Sequence, residues 1–329
     1  MSEPTLDRRL DRLIDLLAEN ATVVVSGTRL AAELRVPQST LWGWIDRLRS
    51  IGVEVRGLPG SGYQLAKMPD VLTPQAIRHR LHRGQFGCRI HHHYKIDSTM
   101  NEAARLAAAG APHGALAVAE EQTAGRGRLG RSWFSERTAG IYFTLVLRPS
   151  LSPAAAPVLT LWAGVALAEV LSETSGLPMD LRWPNDVLVN GKKCAGILVE
   201  MTAEPEKISH VLVGLGINAN HSEIPRELAA EATSLRLAAG RSFSRLELLI
   251  AVLERMESYY NRFQEQGAGI VVRRFCEISS YAQGKRVKVT DGSGVVSGVT
   301  AGLTPEGVLL LRRDDGRTEK ILSGQVRPE

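Results

Sequence analysis

The dipeptide Asn190-Gly191 lies between two strand-like runs, 187–189 and 193–199, and constrains the fold more than any other pair in the chain. Asn-Gly favours the two-residue turn whose twist matches its flanking strands, so an antiparallel hairpin is predicted here. Residues 91–97, 141–147 and 211–218 read as further strands, and 100–109, 153–174 and 246–264 as helices. Hairpin-rich strands with helices to one side predict an α+β domain with a mixed sheet, not a doubly wound one.

Residues 1–66 carry a different pattern. Leu6, Leu10, Leu13, Ile14 and Leu17 recur at helical spacing. Thr28 to Leu34 gives a second helix, broken at Arg35-Val36-Pro37, and Ser39 and Thr40 open a third that runs to about Ser50. Val53 and Val55 lead to the turn Gly60-Ser61-Gly62-Tyr63 and a return strand through Leu65. That order is a winged helix-turn-helix.

On the third helix Leu41, Trp44, Ile45 and Leu48 face a core, while Gln38, Ser39, Trp42, Gly43 and Asp46 face outward. Gln38 can read adenine, Ser39 a phosphate or base edge, and Trp42 a thymine methyl. Thr28, Thr40, Gly43 and Arg47 complete the candidate DNA-contact set. The alternative for Trp42 is packing against the wing or the next domain. Charge opposes DNA binding: residues 1–66 hold eight arginines and eight acids, and Asp7, Asp11 and Asp15 line the first helix. Phosphate neutralisation drives non-specific affinity, so binding is expected to be weak and helped by dimerisation.

Residues 67–87 read as a linker with a short helix, marked by Pro69, Pro74, Lys67, Arg78, Arg80 and Arg83; residues 88–280 form the largest domain. From 281 to 329, short valine- and leucine-rich strands alternate with turns at Asp291-Gly292, Pro305-Glu306-Gly307 and Asp315-Gly316, which predicts a small β-barrel. Cys88, Cys194 and Cys276 are far apart and form no CxxC pair, pointing to a reducing, cytoplasmic setting. The run His91-His92-His93 brings no cysteine or acid cluster with it in sequence, so it reads as a strand and not a metal site. No apolar run reads as a membrane span. The formal charge of +5 permits an anionic partner without requiring one.

The segment Gln122 to Trp133 alternates three glycines with three arginines directly after the apolar run 115–119. Glycine allows close backbone approach, and arginine supplies a planar fork of donors for carboxylate or phosphate. Such a loop suits a small polyanion. Gly125-x-Gly127-x-x-Gly130 matches the spacing of a dinucleotide fingerprint, but Trp133-Phe134-Ser135 is poor helix-start chemistry and Arg148 stands near where the acid should be. The fingerprint is rejected.

Gly125-Arg126-Gly127-Arg128-x-Gly130-Arg131-x-Trp133 resembles the adenylate-binding loop of biotin–protein ligases. Asp97-Ser98-Thr99, Arg182 to Asp186, Lys193 to Leu198 and Gly214 to Asn218 follow in the family's order. The resemblance covers nearly the whole chain and is to the bifunctional form that also represses biotin genes. It implies a central ligase domain of the biotin/lipoate type and an SH3-like C-terminal barrel. The implied reaction joins biotin to ATP as biotinoyl-adenylate, then passes biotin to a lysine of the biotin carboxyl carrier protein.

The resemblance makes Lys193, Arg126 and Arg128 the catalytic cations. It assigns biotin to Ser98, Thr99, Met100, Gln122, Gly125, Arg126, Gly127, Arg128, Lys193 and Gly196. The adenylate falls to Arg128, Arg131, Trp133, Asn185, Asp186, Lys193 and Asn218, with Asp186 helping Mg²⁺. By the same resemblance the adenylate is corepressor, and the protein binds operator DNA as a homodimer when the adenylate is bound. Segment 232–235 lacks the aromatic that covers adenine in some relatives. Three alternatives stay open: a lipoate-type ligase, a ligase with a vestigial DNA module, and a regulator whose ligase domain only senses.

Overall fold

The computed structural model describes residues 3–21, 23–67, 70–81, 84–205, 207–291 and 294–329, with side chains from residue 7. Pro69, Arg83 and Gly292 lie outside the described residues, as does the side chain of Leu6.

Helices α1 (Glu3–Glu19), α2 (Gly27–Leu34) and α3 (Gln38–Ser50) are followed by the hairpin β1 (Val55–Leu58) and β2 (Gly62–Leu65). Leu10, Leu13, Leu17, Leu41, Ile45 and Leu48 build a core of their own, because the apolar stripes of α1 and α3 can be buried only against each other. Tyr94, from beyond this unit, enters that core. Helix α4 (Pro74–Arg80) is capped by the Thr73 hydroxyl. The connecting stretch is not a free tether, since Leu72, Ile77 and Phe86 belong to the main core of the molecule.

The central sheet runs β3-β4-β5-β9-β8-β7-β6, with β3 (Ile90–His93), β4 (Ala115–Ala119), β5 (Ile141–Leu147), β6 (Met179–Arg182), β7 (Asp186–Val189), β8 (Lys192–Ala203) and β9 (Ile208–Ile217). Only β3 and β4 are parallel, which makes the sheet mixed. Asn190 (φ 51°) and Gly191 (φ 74°) form the β7–β8 turn with both residues left-handed, as the dipeptide predicts. Helix α5 (Thr99–Ala108) covers one face through Met100, Ala103 and Ala107. Helices α6 (Val158–Ser175), α8 (Arg245–Gln266) and α9 (Gly269–Ile278) pack together, and α6 lies against β6, β7 and β8; α7 (Leu235–Ala239) is a short turn between strand and helix.

Two expectations need correction. The stretch Pro153–Ser175 is long and apolar enough, by length and composition, to cross a membrane, but it is apolar all round because it is the central core helix and 72% of its apolar window is buried. Helix α9 was missed, because Gly267 and Ala268 precede it and Gly269 opens it, a run that reads as a loop.

The C-terminal strands β10 (Gln283–Asp291), β11 (Gly294–Leu303), β12 (Leu309–Arg312), β13 (Thr318–Ile321) and β14 (Gln325–Pro328) form one antiparallel SH3-like sheet in the order β13-β12-β11-β10-β14. Val287, Leu309, Leu311, Ile321 and Val326 join the core of the central sheet. The C-terminal unit is therefore fused to the central sheet, whereas the N-terminal unit keeps its own core.

Candidate active site

Two adjoining cavities open on the α5 face of the central sheet, and Gly127, Arg128, Trp133, Asn185 and Lys193 line both. The inner cavity is also walled by Ser98, Thr99, Met100, Gln122, Arg126, Gly196 and Gly214 to Gly216. Its polar end is fully organised. Ser98 caps α5 by accepting from the Met100 amide at 3.2 Å. The Thr99 amide and hydroxyl both donate to Gln122 Oε1, at 2.8 and 3.1 Å. Gln122 Nε2 donates to Ser135 Oγ at 2.9 Å. Ser98, Thr99 and Gln122 thus converge at one end of the cavity, beside an apolar wall of Met100, Ile197, Leu198 and Leu215.

Glycine is required by close approach at two positions here. A Cβ on Gly216 would stand 2.3 Å from the Trp133 indole, and one on Gly196 would stand 2.9 Å from both Lys193 Nζ and Trp133. Trp133 lies across this floor, with Lys193 Nζ 5.1 Å from its ring centre. The Trp133 amide donates to the Gly125 carbonyl at 2.8 Å, which folds the arginine–glycine loop back on itself.

The outer cavity adds Arg131, Asp186, Asn218, Phe134, Trp183, Leu228, Glu231, Ala232 and the segment Gly324 to Arg327. Lys193 stands where the two cavities meet. Its backbone is fixed by pairing with segment 231–233, through Lys193 N to Glu231 O (2.8 Å) and Thr233 N to Lys193 O (2.9 Å). Its Nζ lies 2.5 Å from Asp186 Oδ1, while Arg182 holds the other oxygen at 2.7 Å. Burial pushes the Asp186 carboxyl up, but Lys193 and Arg182 outweigh it and hold it below the usual range.

The three loop arginines each have a protein partner. Arg126 pairs with Glu200 at 2.5 Å and donates to Asn101. Arg128 donates to Asn185 Oδ1 (3.1 Å) and the Gly324 carbonyl (3.3 Å), and Arg131 donates to Gln325. Arg126 lines the inner cavity, but its guanidinium is drawn toward β8 and away from Lys193's ion pair. Asn218 Nδ2 donates to the Thr233 carbonyl, and Asn185 Nδ2 to that of Ile197.

The expected Mg²⁺ role of Asp186 does not fit this geometry. Both oxygens of its carboxylate are already paired, one with Lys193 and one with Arg182, and no cluster of three or more His, Cys, Asp or Glu side chains arranged to hold a metal occurs among the described residues. Sequence reasoning also missed the segment Gly324 to Arg327, because nothing in those residues signals that the C-terminal sheet folds back over the loop. Phe134 and Leu228 line the cavity whose adenine-covering aromatic was in doubt.

At the other end of the molecule, Thr28, Gln38 and Trp42 line a groove with the wing residues Gly57 to Tyr63. Trp42 is 59% exposed and faces this groove beside the wing. Gln38 Nε2 donates to Thr28 Oγ1 at 3.0 Å, Ser39, Gly43 and Arg47 are exposed, and Thr40 is half-buried.

The Biotin/lipoate A/B protein ligase family matches residues 93–218, which defines the class of the central fold. A biotin protein ligase C-terminal domain matches 283–326 and a helix-turn-helix domain 9–64. The bifunctional ligase/repressor BirA of Bacillus subtilis is 35% identical over 95% of this chain and 97% of its own. That of Escherichia coli is 30% identical over 96% and 95%. The biotin protein ligase of Aquifex aeolicus, solved with biotin and ATP, superposes at a TM-score of 0.64 with 32% identity, covering 74% of this chain and all of its own. The chain belongs to the biotin–protein ligases, in their bifunctional ligase/repressor form.

Proposed function

We propose that the inner cavity takes biotin and the outer one the adenine nucleotide, with Lys193 and Arg128 acting where they meet. The observation that carries this reading is the shared wall: one lysine and one arginine border both cavities at the point where a carboxylate would meet an α-phosphate. Ser98, Thr99 and Gln122 match the donors and acceptors of a ureido ring, and the wall of Met100, Ile197, Leu198 and Leu215 suits its aliphatic part.

In the first step a biotin carboxylate oxygen bonds to the α-phosphorus of ATP, and pyrophosphate leaves. Lys193 and Arg128 stabilise the charge that builds on the phosphoryl oxygens. In the second, the amine of a carrier-protein lysine attacks the acyl carbon, and AMP leaves with the bonding electrons. Asp186, held between Lys193 and Arg182, aims the lysine; no step is routed through Mg²⁺. Asn185 and Asn218 are each fixed by a backbone carbonyl, so they border the nucleotide cavity in one orientation.

Residues 1–66 serve as a DNA-reading unit, 67–87 as its connector, 88–280 as the ligase and 281–329 as the lid over the loop. Asp7, Asp11 and Asp15 face His93, His92 and Thr73. Arg8 and Arg12 line a cavity beside Asp11 and Asp15, so six arginines and five acids remain over the rest of the unit, a balance that no longer opposes operator binding. Strand β8 runs past its pairing with β7 at Gly196, so residues 199–203 keep an open edge on that side among the described residues. That edge suits a homodimer in the adenylate-bound form or the carrier protein, in a cytoplasmic setting.

The test is incubation with biotin, ATP and Mg²⁺, with mass spectrometry of the bound adenylate. Wild type should hold biotinoyl-AMP, and Lys193→Ala should form it at least about a hundredfold more slowly. Unaltered formation in Lys193→Ala would remove Lys193 from the mechanism.

A further inference from the structure

Strands β3 and β4 run side by side, and their continuations carry the polar end of the inner cavity. His93 O accepts from Glu120 N at 2.9 Å, Ile96 bridges to Gln122, and Asp97 O accepts from Ala124 N at 2.8 Å. The chain that leads to Ser98 and Thr99 is therefore zipped to the chain that leads to Gln122. Two side-chain contacts tie them upstream of the pocket: the half-exposed pair Lys95–Glu121 (2.7 Å) and, fully buried, His92 Nε2 to Glu120 Oε1 at 3.3 Å.

The buried contact continues into the winged helix-turn-helix unit. His92 Nδ1 lies 2.9 Å from Asp11 Oδ1 on α1, and the side chains of His92, Asp11 and Glu120 are 0%, 8% and 1% exposed. On its far side Glu120 accepts from the Leu72 amide at 2.7 Å and pairs with the fully buried Arg245 at 2.8 Å. Burial favours the uncharged forms. Asp11 and Glu120 outweigh it at His92, whose pKa rises to about 10, and Arg245 and His92 outweigh it at Glu120, whose pKa falls to about 2. His92 and Glu120 are therefore both held in their charged forms.

We propose that Glu120 is a positioning residue for the biotin pocket, held in place by Asp11 of the winged helix-turn-helix unit through His92. Glu120 touches no substrate. It fixes the strand end two residues before Gln122, while His92 fixes the strand end six residues before Ser98. Undocking of α1 removes one partner from a buried charge and loosens both pocket walls together. The inference rests on the assignment of the inner cavity to biotin.

The experiment uses the full chain with Asp11→Asn, Glu120→Gln and the double variant. Biotin affinity is read by calorimetry, adenylate formation at saturating biotin by rapid quench, and the amides of α1 and of residues 120–124 by hydrogen exchange. Asp11→Asn should weaken biotin about fivefold and Glu120→Gln about tenfold, with the saturated rate changed less than about twofold. The double variant should be no weaker than Glu120→Gln alone, because the relay ends there. Asp11→Asn binding biotin like wild type, while α1 exchanges faster, would overturn the proposal, and so would losses that multiply in the double variant. His92→Gln gives a second cut of the same relay, with the same expected loss, should Asp11→Asn unfold the N-terminal unit. A wild-type protein that fails to bind biotin would overturn the pocket assignment as well, which separates the two failures.

Discussion

Gly216 shows how much of the site depends on the absence of a side chain. Trp133 lies where a Cβ at 216 would be, so Gly216→Ala forces the indole off the sheet. Because Trp133 lines both cavities, affinity for biotin and for ATP should fall together, each by about tenfold or more, with a loss of stability of about 1–3 kcal/mol from overpacking. Loss of ATP affinity alone, measured by separate titrations, would mean that the indole serves only the outer cavity. Gly214 to Asn218 was legible as a motif, but its physical reason was not. The indole that needs the glycine sits more than eighty positions earlier, and only the fold brings the two together. The same holds for Asp186. As a lone acid it looked fit for Mg²⁺, and only the positions of Lys193 and Arg182 show that its charge is already matched.

Among the elements, α3 was read face by face from periodicity alone, with Leu41, Trp44, Ile45 and Leu48 inward and Trp42 outward. Periodicity reports a helix's own faces well, because burial on one side is a local pattern. It does not report which neighbour covers a face. The acids of α1 were therefore read as a deterrent to DNA, when they are the contacts of that helix with the ligase fold. Trp42→Ala should lower affinity for a duplex selected by the wild-type protein from a random library, by about tenfold. Its melting temperature should stay within about a degree, since exposed substitutions rarely alter stability. Equal affinity for the selected duplex would take Trp42 out of the reading surface. Helix α9 escaped for a related reason: a short element preceded by glycine reads as a loop until tertiary packing makes it core.

At the scale of the molecule, the buried relay between the two units makes stability depend on pH. His92 is raised from 6.5 to about 10 by Asp11 and Glu120 against the effect of burial. The folded state then binds the proton more tightly than the unfolded state does. Its contribution is complete below pH 6.5 and is lost as pH rises toward about 10. Glu120 acts in the opposite sense, contributing above its ordinary 4.5 and losing that as pH falls toward about 2. The groups around His92 are Asp7, Asp11, Glu120, Tyr94 and, behind Glu120, Arg245. Urea titrations from pH 6 to 10 should show stability falling in wild type and nearly flat in His92→Gln. An equal fall in both would place the titration elsewhere. The mixed sheet and the order of the three units were legible from the sequence. This relay was not, because its members, at positions 11, 92, 120 and 245, obey no local period.

The three aspartates of α1 also bear on how far the DNA-reading unit can be treated as an interchangeable cassette. A chimera that takes residues 1–66 from another repressor would present a first helix with no reason to carry carboxylates at 7, 11 and 15. His92, His93 and Thr73 would then face an uncomplementary surface across the seam. New operator specificity in this scaffold is best obtained by changing α3 and the wing while keeping the host's own first helix.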